Sequence, residues 1–367
     1  MDKTIMHIVG NRPQFIKLAP VSREIRKRGY REIIIHTGQH FDTNMSDIFF
    51  EELDIPKPDV NLHISGGSHT EMTARMMLAL EKVLTEYGPT DIVLYGDTNS
   101  TLAAALTARK RNLRISHVEA GPRLGIWTNP EEINRIVVDR ISDMLFAPDQ
   151  VSMDNLAREG LAEKAYFTGD VMYDSFLYCR KQVDAASVLE KYKVQNGNYV
   201  LMTWHRQENT SDKARMEEIL GIIRRIGYPV LYPMHPRTRK MLGEYGIFDK
   251  AEKIKNLHII EPVGYQEMVA LSSNCRFILT DSGGLSKESF FAGVKCLFMM
   301  NDSAGIWPDL EKSRLLFHVP DEESITEELL EECSRKEEGA KPLFYGDGNA
   351  AAKIVDGLEK GWQSEEV

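Results

Sequence analysis

Short apolar runs rich in β-branched residues alternate with helical patterns almost from one end of the chain to the other, and nothing else in the sequence restricts the fold as much. Strands that run in the same direction need crossover helices, and helices on both faces of a sheet bury its strands from both sides. The pattern therefore predicts an α/β protein with parallel sheets. In the first half the expected strands are residues 5–9, 32–36, 92–95, 114–118 and 144–147. Between them, Met72, Met76, Leu80, Val83 and Leu84 recur at spacings of three and four, as do Ile133, Ile136, Val137 and Ile141, which marks amphipathic helices with apolar, core-facing stripes. A second series, at 199–203, 229–233, 257–260, 277–280 and 295–299, repeats the architecture without repeating the sequence.

A chain of 367 residues is too long for one small core, since domains run to about 100–200 residues. Two Rossmann-like domains facing a central cleft are expected, spanning 1–172 and 173–348, with the terminal helix 349–367 packing back on the first. The 45 Lys and Arg against 55 Asp and Glu give a net charge of −10, the wrong sign for a nucleic-acid or anionic-membrane partner. Hydrophobic residues make up 42% of the chain, enough for packed cores, which excludes global disorder. The cysteines Cys179, Cys275, Cys296 and Cys333 are widely spaced, with no CxxC pair, so neither disulfides nor a structural zinc site is expected. No signal-peptide pattern opens the sequence and no apolar run reaches membrane-spanning length, so the reading is a cytoplasmic protein acting on a soluble ligand.

Candidate functional residues gather where predicted strands end, the edge at which open α/β sheets bind ligands. The first strand runs into Gly10-Asn11-Arg12-Pro13-Gln14-Phe15-Ile16-Lys17, which is not GxGxxG. Arg12 and Lys17 near a helix start suit a phosphate, though a solvated basic helix start explains them as well. Asp97 follows a strand, where a helix N-cap is the plainer reading, and Glu119 ends the next one. Glu131 and Arg135 open a further helix, four residues apart and able to pair with each other. In the second half, His205 and His235 each close a strand, and Asp281-Ser282-Gly283-Gly284 leads into a helix whose N–H groups can cradle a diphosphate. Glu288, one turn further, suits ribose hydroxyls. HExxH, P-loop, GxSxG and Asp-x-Asp patterns are all missing, and no metal or other cofactor is expected.

The segments GNRPQFIK, TGQH, GDTNST, HVEAG, PEEINR, HRQEN, DSGG and YGDG occur in this order, and nearly end to end the chain resembles the non-hydrolysing UDP-N-acetylglucosamine 2-epimerases. The stretch TGQHFDTNMSDIFFEELDIPKPD and the short loop between Glu119 and Glu131 are similar to the subgroup acting on UDP-2,3-diacetamido-glucuronate. The resemblance implies a glycosyltransferase-B-like pair of lobes, with UDP held mainly by the second, and a homodimer. It also implies anti elimination of UDP to a 2-acetamidoglucal followed by re-addition. Asp97, Glu119 and Glu131 become the acid–base carboxylates and His205 the diphosphate partner, while Arg12, Lys17, Arg135, His235, Ser282, Gly283, Gly284 and Glu288 bind the ligand. UDP-N-acetylglucosamine and UDP-N-acetylmannosamine are the expected pair, with the diacetamido-uronate as the alternative, for which Arg123 and basic residues near Gly66 are the candidate C6 cations.

Two departures from the family pattern stand out. After strand 295–299 the usual Arg and Thr-Glu are replaced by Met300-Asn301-Asp302-Ser303-Ala304-Gly305-Ile306-Trp307, with Lys287 or Arg314 as candidate substitutes for the Arg. Gly121-Pro122-Arg123 stands where Gly-Leu-Arg is usual. These changes keep a hydrolysing epimerase, a glycosyltransferase and a non-catalytic nucleotide-sugar-binding paralogue among the alternatives.

Overall fold

The computed structural model describes residues 3–39, 49–300, 307–312, 314–335 and 343–363. Its first sheet contains β1 (Thr4–Val9), β2 (Arg31–His36), β3 (Val60–Asn61), β4 (Asp91–Tyr95), β5 (Arg114–Val118), β6 (Met144–Ala147) and β7 (Ala165–Phe167). The second contains β8 (Val200–Thr203), β9 (Val230–Pro233), β10 (Leu257–Ile260), β11 (Ile278–Thr280), β12 (Cys296–Phe298) and β13 (Leu316–His318). Strand order is β3-β2-β1-β4-β5-β6-β7 in one and β10-β9-β8-β11-β12-β13 in the other, and every pairing is parallel. Each sheet is thus doubly wound and glycosyltransferase-B-like in type, and each reverses its winding once, between β1 and β4 and between β8 and β11. Such switch points leave a crevice at the carboxyl ends of the strands.

All ten expected strands are present within a residue or two of their expected bounds. β3, β7 and β13 were not expected, and all three lie at sheet edges. An edge strand is covered on fewer sides and does not need the continuous apolar run that marks a central one. β7 shows this directly, with Tyr166 and Phe167 both exposed.

The chain divides into two compact units, Met1–Tyr178 with Pro342–Val367, and Cys179–Lys341. In the first, Met76, Leu80, Val83 and Leu84 of the helix His69–Tyr87 pack on the sheet as their spacing predicts. The helix Pro130–Ile141 departs from its predicted stripe: Ile133 is 43% exposed, and the buried residues are Glu132, Asn134, Val138 and Asp139. A face carrying two carboxylates is stable inside a protein only when hydrogen-bonded, and the site described below supplies those bonds.

The terminal helix Ala350–Gln363 packs in the first unit through Ile354, Val355, Leu358 and Trp362. Trp362 Nε1 donates to buried Asp91 Oδ1 at 2.9 Å, and Arg28 pairs with Asp356 and Glu359. At its start, the N–H groups of Ala350 and Ala351 donate to the Asp174 carboxylate at 3.1 and 2.8 Å. Burial pushes the Asp174 carboxyl up to about 6 despite those two bonds, with the charges of Asp170 and Asp347 adding to the rise. Among the described residues no helix is long and apolar enough to cross a membrane.

Candidate active site

In the first unit the site begins where β1 stops. A Cβ on Gly10 would lie 2.2 Å from Thr37 Oγ1 and 2.4 Å from Ser100 Oγ, so only glycine fits. Asn11 caps the helix Arg12–Lys27. Gln14 then accepts from Gly10 N at 2.7 Å and donates to Tyr95 O and Thr101 Oγ1 at 2.8 and 2.9 Å, which ties the ends of β1 and β4 together. One turn on, Lys17 Nζ lies 2.6 Å from Glu119 Oε1, with both side chains nearly buried. Gly96, in the left-handed region at φ 62°, leaves room for this pair, since a Cβ there would sit 3.0 Å from Lys17 Nζ.

Asp97 does not cap the following helix, because Thr98 does, accepting from Thr101 N. The Asp97 carboxylate is instead paired with Arg135 Nη2, and its backbone carbonyl accepts from Asn134 Nδ2 at 2.8 Å. Arg135 Nη1 reaches Glu132 Oε2 at 3.1 Å, so the i,i+4 pair with Glu131 is replaced by an i,i+3 pair with Glu132. Glu132 also accepts from the N–H groups of Leu124 and Gly125. Burial would lower the Arg135 pKa, but the charges of Asp97, Glu119 and Glu132 outweigh it and hold the guanidinium above its ordinary value.

Glu119 sits at φ 68°, left-handed for a residue with a side chain. Such a conformation costs on the order of 1–3 kcal/mol and persists only where the surroundings enforce it. Lys17, Asp97, Glu119 and Arg135 are therefore assembled into one charged cluster. The Glu131 carboxylate, on the same helix as Arg135, has no hydrogen-bond or ion-pair partner among the described residues. Arg12 is exposed, with its guanidinium 4.4 Å from the Phe49 ring centroid. Arg123, the candidate cation for a uronate, is paired with Glu159 at 2.7 and 2.9 Å and with Asp139 at 2.8 Å.

The second unit builds its part differently. After β8, the backbone N–H groups of His205 and Arg206 donate to the fully buried Asp281 carboxylate at 3.0 and 2.8 Å, and His205 Nδ1 lies 3.3 Å from Asp281 Oδ1. Burial works to raise the Asp281 carboxyl, but the His205 side chain and these N–H groups prevail and hold it below the usual carboxylate range. The His235 ring is 5.4 Å from that of His205, and its Nδ1 accepts from Arg237 N, which leaves the proton of the neutral ring on Nε2.

Ser282 caps the helix Gly283–Ala292. Among the described residues, a Cβ on Gly284 would meet nothing closer than Ser282 Oγ at 3.8 Å. Glu288 accepts from Tyr265 OH at 2.9 Å. Lys287, one of the substitutes considered for the missing Arg, is buried with Nζ 3.9 Å from the Trp307 ring centroid, and Trp307 Nε1 donates to Gly283 O at 2.7 Å. Residues 301–306 of the divergent segment, and 40–48 of the subgroup-like stretch, lie outside the described residues.

Carboxylates beside cations at one switch point can move protons, and a His with helix N–H groups at the other can hold a leaving anion. A family model described as UDP-N-acetylglucosamine 2-epimerase matches residues 23–359. The chain belongs to that family. It is 43% identical to a UDP-N-acetylglucosamine 2-epimerase homolog of Methanococcus maripaludis, over 96% of this chain and 99% of the relative. It is 42% identical to the UDP-2,3-diacetamido-2,3-dideoxy-D-glucuronate 2-epimerase of Pseudomonas aeruginosa, over 97% and 99%. The crystal structure of the Methanocaldococcus jannaschii UDP-GlcNAc 2-epimerase in complex with UDP-GlcNAc and UDP matches with a TM-score of 0.87 at 37% identity, covering 97% of this chain and 99% of that one.

Reading the sequence as that of a UDP-GlcNAc 2-epimerase family member locates the charged strand ends but misses what holds them. Asp281, Glu132, His117 and Asp139 were not singled out, because most of their partners lie on other elements. For Asp281 a local signal existed, its place directly after β11 and before the cap Ser282. For Asp139 the only signal was an acid in a helix expected to be amphipathic.

Proposed function

We propose that the protein interconverts UDP-N-acetylglucosamine and UDP-N-acetylmannosamine without net hydrolysis. The observation that carries this is the Lys17–Glu119 and Arg135–Asp97 cluster at one switch point, in a family member whose other switch point presents His205 beside a helix start. C2 of an acetamido sugar is not adjacent to a carbonyl, so its proton becomes removable only as the C1–O bond breaks. A carboxylate takes the C2 proton, the C–H electrons form the C1=C2 bond, and UDP leaves with the C1–O pair, giving UDP and 2-acetamidoglucal. A second carboxylate returns a proton to the opposite face of C2, and a diphosphate oxygen re-forms the C1–O bond. Asp97, Glu119 and Glu131 serve as these carboxylates. His205, backed by Asp281, stabilises the departing diphosphate together with the helix start Ser282–Gly284, while His235 and Glu288 complete the nucleotide's contacts.

A neutral sugar is favoured because Lys17, Arg123 and Arg135 all face carboxylates already. The 42% identity to the Pseudomonas enzyme supports a second reading, the diacetamido-uronate pair. Incubating the protein with each nucleotide sugar in deuterium oxide separates them: deuterium at C2 and a second epimer appear only with the true substrate. Acceptor-dependent UDP release would point to a glycosyltransferase, free N-acetylmannosamine to a hydrolysing enzyme, and UDP binding without turnover to a sensor. The proposed assembly is a homodimer, which light scattering checks against the chain mass of 41.8 kDa.

A further inference from the structure

We infer that His117 and Asp139 form a buried positioning pair that sets the spacing of Asp97 and Glu119, the carboxylates of the proposed reaction on which this inference rests. Both side chains are fully buried. His117 Nε2 lies 2.7 Å from the carbonyl oxygen of Gly96, the residue before Asp97, and Nδ1 lies 2.6 Å from Asp139 Oδ1. The second Asp139 oxygen accepts from Gly121 N at 3.0 Å and from Arg123 Nη2 at 2.8 Å. Glu119 is therefore flanked on both sides, through His117 two residues before it and Gly121 two residues after it, by contacts that end on one carboxylate. The same Asp139 stands four residues beyond Arg135, the partner of Asp97.

The pair thus joins the loops carrying Asp97 and Glu119 to the helix Pro130–Ile141, which carries Glu131 and Arg135. It also accounts for that helix burying a polar face, because an apolar residue at 139 would pack but could not direct three donors. Buried hydrogen-bonded networks constrain geometry in a way that apolar contacts do not. Glu119 needs such a constraint, since its left-handed backbone would otherwise relax. Neither His117 nor Asp139 reaches the carboxylates themselves in this arrangement. Their role is to hold the backbone that presents them.

Two His117 variants divide the contacts. His117→Gln places an amide near the Nε2 position and keeps the bond to Gly96, whereas His117→Asn places one near Nδ1 and keeps the bond to Asp139. With Asp139→Asn they are expected to lower kcat by about 10²-fold, the cost of an ångström-scale misplacement, while KM and the affinity for UDP stay within about threefold. Glycal and UDP released per epimer formed should rise in the same variants, because proton return depends on the same spacing. Folded variants with kcat within about threefold of the parent, or with UDP affinity falling in step with kcat, would overturn the inference.

Glu159→Gln loosens Arg123 from the outer side without emptying the core and covers the case in which the buried variants do not fold. A roughly tenfold fall in kcat is expected for it, and an unchanged kcat counts against the pair. If the parent turns over no nucleotide sugar, the proposed function fails but the pair is still open to test by hydrogen exchange. Asp139→Asn, or Glu159→Gln if that variant does not fold, should speed exchange at the Gly121 amide about tenfold and leave β8 and β11 unchanged, and equal protection would refute it.

Discussion

The two switch points hold their functional groups by opposite means. At the β1/β4 point, charged side chains from separate elements neutralise one another, Lys17 with Glu119 and Arg135 with Asp97. At the β8/β11 point, a single buried carboxylate, Asp281, takes two backbone N–H groups and one imidazole, and a capped helix start stands beside it. A cluster of side chains is suited to moving protons, because each carboxylate can exchange a proton while a neighbouring cation balances its charge. A helix start beside a supported imidazole is suited to holding an anion both when bound and as it gains charge on leaving. The first should therefore govern turnover, and the second should govern nucleotide affinity as well.

Substitutions can break this contrast, and the largest effect is expected at the first point. Asp97→Asn and Glu119→Gln should each reduce C2 deuterium incorporation by about 10³-fold with UDP affinity retained, as measured by exchange in deuterium oxide and titration calorimetry. Loss of UDP affinity in either would place the diphosphate, and not C2, beside the carboxylates. Next comes Asp281→Asn, which removes the negative charge beneath His205 and turns one of its two acceptor oxygens into a donor. It should lower kcat by about 10²-fold and weaken UDP as well, and turnover and affinity both at parent levels would show that His205 needs no support.

Gly284→Ala sharpens the comparison further. Among the described residues nothing crowds the added methyl group, so the melting temperature should hold or rise, whereas UDP affinity should fall by roughly tenfold as the methyl stands against the helix start. Unchanged affinity would move the nucleotide away from this helix.

The smallest effect lies away from both points, at Asp174. Its folded-state carboxyl, at about 6, is above its ordinary value of 3.8, so the stability linked to it is present below that ordinary value and is lost as pH rises through about 6. The melting temperature of the first unit should fall by a few degrees from pH 5 to pH 7.5 on this account, and Asp174→Asn should flatten that slope. A slope that survives the substitution would assign the pH dependence to another group.

Nine of the ten expected strands are central and were legible because a strand covered on both faces must be apolar throughout; the tenth, β10, is an edge strand whose LHII still reads as a mostly apolar run. β3, β7 and β13 were not, since an edge strand of two or three residues carries no such requirement. The helix Pro130–Ile141 shows the same limit for a face. Its isoleucines and valines suggested the core side, yet Glu132 and Asp139 are the buried residues and Ile133 is exposed. Periodicity registers hydrophobicity, whereas the buried face here was selected by hydrogen-bond partners on the loop 121–125, on β5 and on the same helix.

By itself the sequence determined the fold class, the two series of strands and the strand ends where charged residues collect, because these follow from local periodicity and from residues adjacent in the chain. Tertiary structure alone decided which charges meet. Lys17 and Glu119, Arg135 and Asp97, and His117 and Asp139 are brought within bonding distance by strand order and helix placement, and a pairing energy that falls off over a few ångströms leaves no trace in sequence spacing.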